Sequence, residues 1–413
     1  MSDIEQALAD IRDRGLYRRM RMISGPQGPR VLLDGRPVLL LCSNNYLGLA
    51  DHPRVREAAA DAAMRYGAGA GASRLISGTM RIHRRLEERL AEFKGSEAAL
   101  LFGSGYLANI GVVGALARAG EVVFSDSLNH ASIVDGCRLA GAETFVYEHG
   151  DLEHLAWGLE QVEGRASLIV TDGVFSMDGD VAPLEGIVEL ARHHDVRVMV
   201  DEAHGTGAIG PGGRGAVAAA GLEDEVDVVV GTLGKALGSY GAYVCCERST
   251  AKYLINTART LIFSTAPAPP SVAAAMAALE LLREQPRHVE KLQRNSALLR
   301  QSLTAEGVPV APGQTPILPV VVGAAEDATR ASERALERGI FAQAIRPPTV
   351  PAGGSRLRLT VMASHTASEL REAAKALAAA LPASAREAAA RRALEVAPAS
   401  GSGRVYDGLS DAA

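Results

Sequence analysis

Gly231-Thr232-Leu233-Gly234-Lys235-Ala236-Leu237-Gly238 directly follows Val226-Asp227-Val228-Val229-Val230, a short and mostly apolar run. The run predicts a buried strand, which delivers one lysine, Lys235, into a glycine-rich turn. Glycines on both sides allow the backbone and a bulky ligand to approach the amine closely. Desolvation lowers the pKa of a lysine toward the neutral form, which is the nucleophile. The stretch therefore makes Lys235 a candidate for covalent chemistry.

Two other interpretations of this lysine turn can be compared with the nucleophile. A phosphate-binding loop needs four residues between its glycines and a Ser or Thr after the lysine. Here two residues separate Gly231 from Gly234, and Ala236 follows the lysine, so this interpretation fails. An ordinary lysine at the end of a strand fits the octapeptide as well as a nucleophile does. Residues elsewhere in the chain must decide between the two remaining interpretations, a nucleophile and an ordinary lysine.

The composition predicts a soluble globular protein of roughly two or three domains. Of the 413 residues, 47% are hydrophobic, and the formal net charge of −5 gives no indication of nucleic acid as a partner. No apolar run approaches the roughly 20 residues that cross a bilayer, so we expect no membrane span. The first residues, Met-Ser-Asp-Ile-Glu-Gln, lack the basic and then apolar order of a signal peptide. We therefore expect the protein in the cytoplasm.

The cysteines and histidines give no sign of a metal site. Cys42, Cys137, Cys245 and Cys246 lie in apolar surroundings without Cys-x-x-Cys spacing, which predicts buried thiols rather than a disulfide framework. No His-x-x-x-His or His-Glu-x-x-His spacing occurs, so we expect no zinc and no other metal.

The chain is predicted to contain an N-terminal arm, two domains and a tail. Residues 1–50 form the arm and a small hairpin around the turn Asp34-Gly35-Arg36. Residues 51–265 form a large α/β domain, and residues 266–383 form a smaller C-terminal α+β domain. Residues 384–413 are rich in Ala and then in Ser and Gly, which predicts a frayed helix and a disordered tail.

Short apolar runs alternate with helical segments in the large domain. These runs cover residues 98–102, 122–124, 144–147, 168–171, 196–201, 226–231 and 242–246. Runs that are apolar throughout indicate a mainly parallel sheet covered by helices on both faces, so the predicted fold is α/β and doubly wound. Ligands of such sheets bind beyond the carboxyl ends of the strands. Polar residues follow several of these runs, and we expect them to converge on one site.

Four kinds of residue at these strand ends suggest a cofactor. Gly105 opens a helix whose first amides can hold an anion, although a plain strand-to-helix turn is the common alternative. Asp201 ends an apolar strand, where a carboxylate needs a cation, either a ligand or a salt-bridge partner. His130 and His204 each follow a strand, where a lone histidine is usually a cap. Together with Lys235, these groups match pyridoxal 5′-phosphate (PLP), which offers an aldehyde, a ring nitrogen and a phosphate.

Three motifs then resemble one family, the α-oxoamine synthases among the fold-type I PLP enzymes. They are Asp201-Glu202-Ala203-His204-Gly205-Thr206-Gly207, Thr232-Leu233-Gly234-Lys235-Ala236-Leu237-Gly238 and Ser43-Asn44-Asn45-Tyr46-Leu47-Gly48-Leu49. The resemblance runs from about residue 4 to about residue 382. One departure is Asp172, which stands where some members of the family have glutamate.

The resemblance implies a role for each matching position. Lys235 would bind PLP covalently, Asp201 would pair with the ring nitrogen, and His130 would stack on the ring. The ring oxygen would accept hydrogen bonds from His204 and Ser176. The phosphate would be held by Gly105, Tyr106 and Thr232, and by Ser264 or Thr265 of a partner subunit. Substrate would contact His130, Asn44, Arg18, Thr349 and Arg358, with Arg358 on the amino-acid carboxylate and with Arg18 and Thr349 along the acyl-donor path.

The segment from Ile345 to Gly353, followed by Arg356-Leu357-Arg358-Leu359-Thr360, most resembles the branch of the family that acts in biotin synthesis. This implies a homodimeric acyltransferase that condenses L-alanine with a pimeloyl thioester, carried by CoA or an acyl carrier protein. Glycine with acetyl-CoA or another acyl-CoA is the alternative within the family. A non-catalytic, dimeric binding subunit is a further alternative, but such a chain should lack the lysine, and Lys235 is present.

Overall fold

A computed structural model of the chain describes residues 3–162, 164–308 and 310–382. These residues form two compact units. The smaller unit contains residues 3–48, 177–179 and 290–382, and the larger unit contains residues 49–176 and 180–289. The tail predicted over residues 384–413 lies outside the described residues.

The strands of the described residues are β1 Ile23–Ser24, β2 Arg30–Leu33, β3 Arg36–Leu40, β4 Ala98–Phe102, β5 Val122–Asp126, β6 Glu143–Tyr147, β7 Ala166–Asp172, β8 Arg197–Asp201, β9 Val228–Thr232, β10 Ala242–Cys246, β11 Ile317–Gly323, β12 Ile340–Phe341, β13 Gln343–Ile345 and β14 Ser355–Thr360. The α-helices are α1 Asp3–Asp13, α2 Pro53–Tyr66, α3 Arg81–Lys94, α4 Gly105–Leu116, α5 Ala131–Ala140, α6 Leu152–Gln161, α7 Leu184–His194, α8 Ala216–Ala220, α9 Arg248–Thr257, α10 Arg259–Ile262, α11 Pro269–Glu284, α12 Arg287–Ala305, α13 Ala325–Glu337 and α14 Ala367–Ala380.

A seven-stranded sheet forms the centre of the larger unit. Its strand order is β4-β10-β9-β8-β7-β5-β6, and β10 runs antiparallel to both of its neighbours. The pairs β5–β6, β5–β7, β7–β8 and β8–β9 are parallel. The α/β fold with a mainly parallel sheet is therefore confirmed, and each apolar run predicted in this domain is a strand.

Helices α4 and α5 lie close together because Gly136 of α5, which has no side chain, faces α4. A Cβ atom built on Gly136 of α5 would lie 3.3 Å from the backbone oxygen of Asn109 and 3.3 Å from Cβ of Val113, both on α4. Such a spacing is too tight for a side chain to enter without displacing its neighbours. The close approach also brings Ser132, in the first turn of α5, beside Asn109.

Residues 266–289 belong to the larger unit. The sequence prediction assigned them to the C-terminal domain, after the proline-rich segment at residues 265–270. Helix α11 packs on α2, and Arg54 and Glu284 form an ion pair between the two helices at 2.7 Å. The proline-rich segment thus leads into a helix of the same unit rather than into a new domain.

Two small sheets organise the smaller unit. The hairpin of β2 and β3 turns at Asp34 and Gly35, whose positive φ angles of 48° and 79° suit a tight two-residue turn. Strand β12 extends this sheet parallel to β3, whereas β13 joins β14 and β11 in an antiparallel sheet. The core between them is apolar and includes Leu299, Leu318 and Leu357.

Candidate active site

Lys235 lies in a tight turn after β9. The backbone N–H of Gly238 donates to the carbonyl of Lys235 at 2.9 Å, and Gly238 has a positive φ of 59°. A Cβ atom at Gly238 would lie 2.4 Å from the backbone nitrogen of Ala50, so a larger residue would displace the chain there. The turn is closed further by Thr232, whose Oγ1 accepts from the N–H of Gly234 at 3.1 Å. This turn therefore fixes the backbone from which the side chain of Lys235 extends.

The amine of Lys235 contacts a histidine. Its Nζ lies 2.7 Å from Nε2 of His204, which follows β8 and is 6% exposed. Two positive charges at this separation repel each other, so the geometry favours a neutral nitrogen on one of the two side chains. The predicted nucleophile and the histidine of the Asp201–Gly207 motif thus share one hydrogen bond.

Asp201 is buried at the end of β8. Its Oδ2 accepts a hydrogen bond from Nδ2 of Asn109 at 2.7 Å, and its Oδ1 accepts one from the backbone N–H of Ala203 at 2.8 Å. Each oxygen of Asp201 thus accepts a hydrogen bond from a neutral donor, and the carboxylate can pair with a cationic ligand group.

A chain of hydrogen bonds connects Asp201 with His130. Nδ2 of Asn109 also contacts Oγ of Ser132 at 2.8 Å, and that hydroxyl lies 2.7 Å from Nδ1 of His130. The backbone N–H of Ser132 donates to the same Nδ1 at 3.3 Å, so His130 caps α5. Burial lowers the pKa of His130, the charge of Lys235 adds to this effect, and Asp201 opposes it. A neutral His130 then carries its proton on Nε2, because Nδ1 accepts.

A second buried carboxylate lies beside Asp201. Asp172 at the end of β7 is the register partner of Asp201 on β8, and its Oδ2 accepts from the backbone N–H of His130 at 3.0 Å. Burial and the charge of Asp201 raise the pKa of Asp172 well above its usual range, although Lys235 opposes this. A raised pKa favours the protonated form of Asp172.

The first turn of α4 faces open space. Oγ of Ser104 caps the helix by accepting from the N–H of Leu107 at 3.2 Å. A Cβ atom built on Gly105 would meet nothing within 4 Å. Tyr106 is 43% exposed, and its hydroxyl hydrogen-bonds to Asp135. The early amides of a helix have no partner within the helix, so this end can bind an anion.

The remaining predicted cofactor residues of the larger unit lie in loops. Ser176 belongs to a loop closed by an isolated antiparallel bridge between Val174 and Val181. Thr265 is exposed and pairs with Ser73 in a second isolated bridge. Ser264 precedes it and is half-buried.

Arg358 lies in the smaller unit on the central strand of the β11-β14-β13 sheet. It is 7% exposed, and its Nη1 and Nη2 donate to Oδ1 of Asn44 at 3.2 and 3.3 Å. The hydroxyl of Tyr46 lies 3.5 Å from Nη2. Arg356, which is also buried, forms an ion pair with Asp178. Two arginines on one face of the strand thus contact chemically different groups: Arg356 contacts a carboxylate, and Arg358 contacts an amide and a phenol.

A basic cavity of about 820 Å³ lies within the smaller unit. Arg18 and Thr349 both line it. The other basic residues of its wall are Arg12, Arg19, Arg21 and Arg346. A surface with this charge suits an anionic group.

Other groups have no clear chemistry. All four cysteines are free thiols; Cys137, Cys245 and Cys246 are buried and Cys42 is half-buried. In the part of the chain that the structure describes, no cluster of three or more His, Cys, Asp or Glu side chains could hold a metal ion. Within the same residues, none of the helices combines the length and the apolar content that crossing a membrane requires.

Residues 36–377 match the family described as aminotransferase class I and II. The chain belongs to this family. Relatives that are similar over nearly their whole length include the 8-amino-7-oxononanoate synthase of Geobacter sulfurreducens, 52% identical over 90% of this chain and 96% of the relative. The 8-amino-7-oxononanoate synthase of Anaeromyxobacter dehalogenans is also 52% identical, over 89% of this chain and 93% of the relative.

Solved structures of the aminotransferase class I and II fold are similar as well. Sphingomonas wittichii serine palmitoyltransferase is 31% identical, with a TM-score of 0.86 over 95% of this chain and 98% of that chain. A structure of SPT with PLP as internal aldimine is 32% identical, with a TM-score of 0.87 over 92% and 96% of the two chains. The 8-amino-7-oxononanoate synthase of Francisella tularensis is 27% identical, with a TM-score of 0.72 over 83% and 97%. The family resemblance and the fold predicted from sequence are thereby confirmed.

Asn109 and Ser132 were not predicted from the sequence as site residues. Both lie inside helices, and neither belongs to a motif that the sequence makes conspicuous. Their position near the site follows from the packing of α4 on α5 and from the distance between Asn109 and Asp201. The polar character of Asn109 in an otherwise apolar helix is the one signal that could have identified it, since buried polar groups need partners.

Proposed function

We propose that this protein is a PLP-dependent acyltransferase that condenses L-alanine with a pimeloyl thioester. The products are 8-amino-7-oxononanoate, carbon dioxide and the free thiol of the carrier. Relatives with this name match over 96% of their length at 52% identity, which supports the reaction. The observation that carries the proposal is the contact of Lys235 with His204 at 2.7 Å, beside the buried carboxylate of Asp201 in the same unit.

The donor groups of the larger unit fit PLP. The amine of Lys235 suits its aldehyde, and the carboxylate of Asp201 suits its ring nitrogen once that nitrogen is protonated. The amides of Gly105 and Tyr106, together with the hydroxyl of Thr232, suit its phosphate, and the open space in front of Gly105 leaves room for that group. His204 and Ser176 can donate to the ring oxygen. His130 has a flat ring that can cover one face of the cofactor.

When bound, PLP withdraws electrons from the Cα of the amino acid attached to it. The residues of the chain then have separate tasks. Lys235 would hold the cofactor. Once the amino group of the substrate alanine had displaced the lysine from the cofactor, Nζ of Lys235 would take the Cα proton. His204, at 2.7 Å from Nζ, can accept or return that proton. Asp201 would keep the ring nitrogen protonated through its own negative charge.

Asp172 would support Asp201 from the neighbouring strand. The raised pKa of Asp172 favours its protonated form, in which the negative charge at the ends of β7 and β8 would lie on Asp201. The backbone N–H of His130 donates to Asp172, which fixes the start of α5 and the imidazole above it. The neutral imidazole adds no positive charge that would compete for Asp201.

The smaller unit would bind the substrates. Arg358 can hold the carboxylate of alanine with its two Nη atoms, in place of the single amide oxygen of Asn44 that they now share. Asn44 would then remain close enough to contact the substrate. Arg18 and Thr349 line the basic cavity, which suits the acyl donor and the phosphate groups of CoA or of an acyl carrier protein.

We further propose that the enzyme is a homodimer with Ser264 or Thr265 of one subunit on the phosphate of the other. Large apolar side chains are exposed close to these residues. Phe263, which precedes Ser264, is 71% exposed, and Ile76, three residues beyond the bridge partner Ser73 of Thr265, is 80% exposed. Exposed apolar groups of this size are typical of an interface. Light scattering at assay concentration should give twice the mass of the chain, and an active monomer would rule out the shared site.

The reaction is tested by supplying the purified protein with PLP, L-alanine and pimeloyl-CoA and detecting the product and free CoA by mass spectrometry. A parallel assay with glycine and acetyl-CoA serves as the comparison. We expect faster turnover of the alanine and pimeloyl pair. Faster turnover of glycine with acetyl-CoA would assign the protein to a different branch of the family, and no turnover of either pair would favour a non-catalytic subunit.

A further inference from the structure

His149 lies between two carboxylates in the larger unit. It follows β6, and its Nδ1 is 3.0 Å from Oδ1 and 3.2 Å from Oδ2 of Asp126. Its Nε2 is 2.7 Å from Oδ2 of Asp180. A carboxylate oxygen can only accept when ionised, so both ring nitrogens donate and the ring is an imidazolium. The side chain of His149 is 30% exposed, that of Asp126 is 1% exposed and that of Asp180 is 42% exposed, so the contact with Asp126 is the more sheltered of the two.

Asp126 ties this imidazolium to the turn before His130. Its side chain is almost completely buried, and its Oδ1 also accepts from the backbone N–H of Leu128 at 2.8 Å. Its Oδ2 accepts from the N–H of Gly150 at 3.0 Å. The carboxylate therefore joins the loop that leaves β5 to the loop that leaves β6. His130 is four residues beyond Asp126 and is held by the same turn.

Asp180 and Phe175 tie His149 to the loop that carries Ser176. The backbone N–H of Phe175 donates to the carbonyl of Asp180 at 3.0 Å, and Val174 and Val181 form the bridge that closes the loop. The ring of Phe175 packs edge-on against His149, with 4.4 Å between ring centroids. The imidazolium thus contacts both ends of this loop, once by a hydrogen bond and once by an aromatic edge.

We propose that His149 is a positioning residue, which fixes the loops of His130 and Ser176 for cofactor binding by bridging Asp126 and Asp180. The statement about the cofactor rests on the proposed function, whereas the bridge itself is a property of the chain without PLP. Asp126 and Asp180 are the charged groups that face the ring, and their hydrogen bonds and charges outweigh burial and raise the pKa of His149 to about 10. At neutral pH His149 is consequently protonated and can donate to both carboxylates.

The test compares three variants with a matched control in the protein without PLP. His149→Gln removes the charge and one of the two contacts, and Asp180→Asn weakens the contact on the more exposed side. His149→Arg restores a planar cation that can reach both carboxylates. The control is His154→Gln, a nearby histidine whose Nδ1 accepts from the N–H of Glu148 and whose ring packs on Phe145. Hydrogen exchange is followed by mass spectrometry in peptides covering residues 126–130 and 174–181, and PLP affinity is measured by absorbance titration.

We expect His149→Gln to speed exchange in both segments and to weaken PLP binding about tenfold, the effect of losing a charged hydrogen bond. Exchange in the strands should not change. Asp180→Asn should give a smaller effect in the same segments, and His149→Arg should restore part of both signals. The control should match the wild type.

Three results would overturn the proposal. They are unchanged exchange in both segments, a PLP affinity equal to that of the wild type, or faster exchange spread over the whole sheet, which would mean a general structural role. Asp180→Asn keeps the test decisive if His149→Gln fails to fold. If the wild type takes up no PLP at all, the proposed function fails, and the exchange measurement still decides whether the bridge orders these loops.

Discussion

The side-chain amide of Asn109 lies 2.7 Å from Oδ2 of Asp201, although 92 positions separate the two residues in sequence. The same nitrogen contacts Ser132 at 2.8 Å, and Ser132 contacts His130. One amide in α4 therefore orients the carboxylate expected at the ring nitrogen of PLP and the imidazole expected over its face. A single substitution can disturb both.

Asn109→Leu should weaken PLP binding about tenfold, since a hydrogen bond to a charged group contributes roughly 1.5 to 3 kcal/mol. The leucine has a similar volume, so the packing of α4 should be kept. Ser132→Ala distinguishes the two effects, because it breaks the contact between Ser132 and His130 and leaves the contact between Asn109 and Asp201. Absorbance titration with PLP measures both variants. Equal affinity of Asn109→Leu and the wild type would show that Asn109 does not support Asp201.

Asp201→Asn should abolish most of the exchange of the alanine Cα proton while the fold persists. A nearby carboxylate typically shifts the pKa of a cationic partner by about 1 to 3 units, so the ring nitrogen should lose its proton at neutral pH. Proton exchange in deuterated water, followed by NMR, should slow at least about tenfold. Asp227→Asn is the matched control, because Asp227 is an exposed aspartate beside the same sheet and accepts from the N–H of Val198. Wild-type exchange in Asp201→Asn would make Asp201 a structural residue.

Arg358→Ala should raise the KM for alanine at least about tenfold, because a charge-assisted pair with a carboxylate contributes roughly 1.5 to 3 kcal/mol. Arg356→Ala should change this KM much less, since Arg356 is bound to Asp178. Its effect should be a lower melting temperature, because the ion pair is lost. Steady-state kinetics and thermal melting distinguish the two positions. Equal KM changes would remove Arg358 from the substrate site.

The stability of the protein should fall as the pH rises from about 6.5 toward 10. His149 has a folded-state pKa of about 10, above its unfolded value, so the folded protein binds the extra proton in this window. Its contribution is complete below the unfolded pKa and disappears as the pH passes the folded one. Thermal melting between these limits should show a shallower decline for His149→Gln than for the wild type. Parallel curves would mean that His149 is not protonated in the folded state.

The strands of the larger unit could be predicted because a buried parallel strand must be apolar throughout. The residues at the ends of these strands followed from the same pattern, which is why Lys235, Asp201 and His204 were predicted. Asn109 and Asp172 were not identified as supports of the site, because their importance comes from their positions beside Asp201, one on a helix and one on the neighbouring strand. Such contacts depend on register and helix packing, which periodicity does not specify.

The smaller unit shows a second limit. Between Phe341 and Gln343 the chain crosses from one sheet to another, which the sequence pattern of this short segment does not indicate. Phe341 pairs with Leu40, whereas Gln343 pairs with Arg358. Similarly, the arginines of β14 could have been surface charges from sequence alone, yet both are buried. Partner strands and buried ion pairs of this kind are set by residues far away in the chain.

Borohydride reduction of the protein loaded with PLP tests the central assignment most directly. The loaded protein should be yellow, and reduction should fix the cofactor irreversibly to the peptide that contains Lys235. Lys235→Ala should still bind PLP without fixing it and should not exchange the Cα proton of alanine. Lys94, a buried lysine of the same unit whose pKa is lowered by burial, provides the internal comparison. A label on Lys94 or on any lysine other than Lys235, or a colourless protein that takes up no added PLP, would contradict the account.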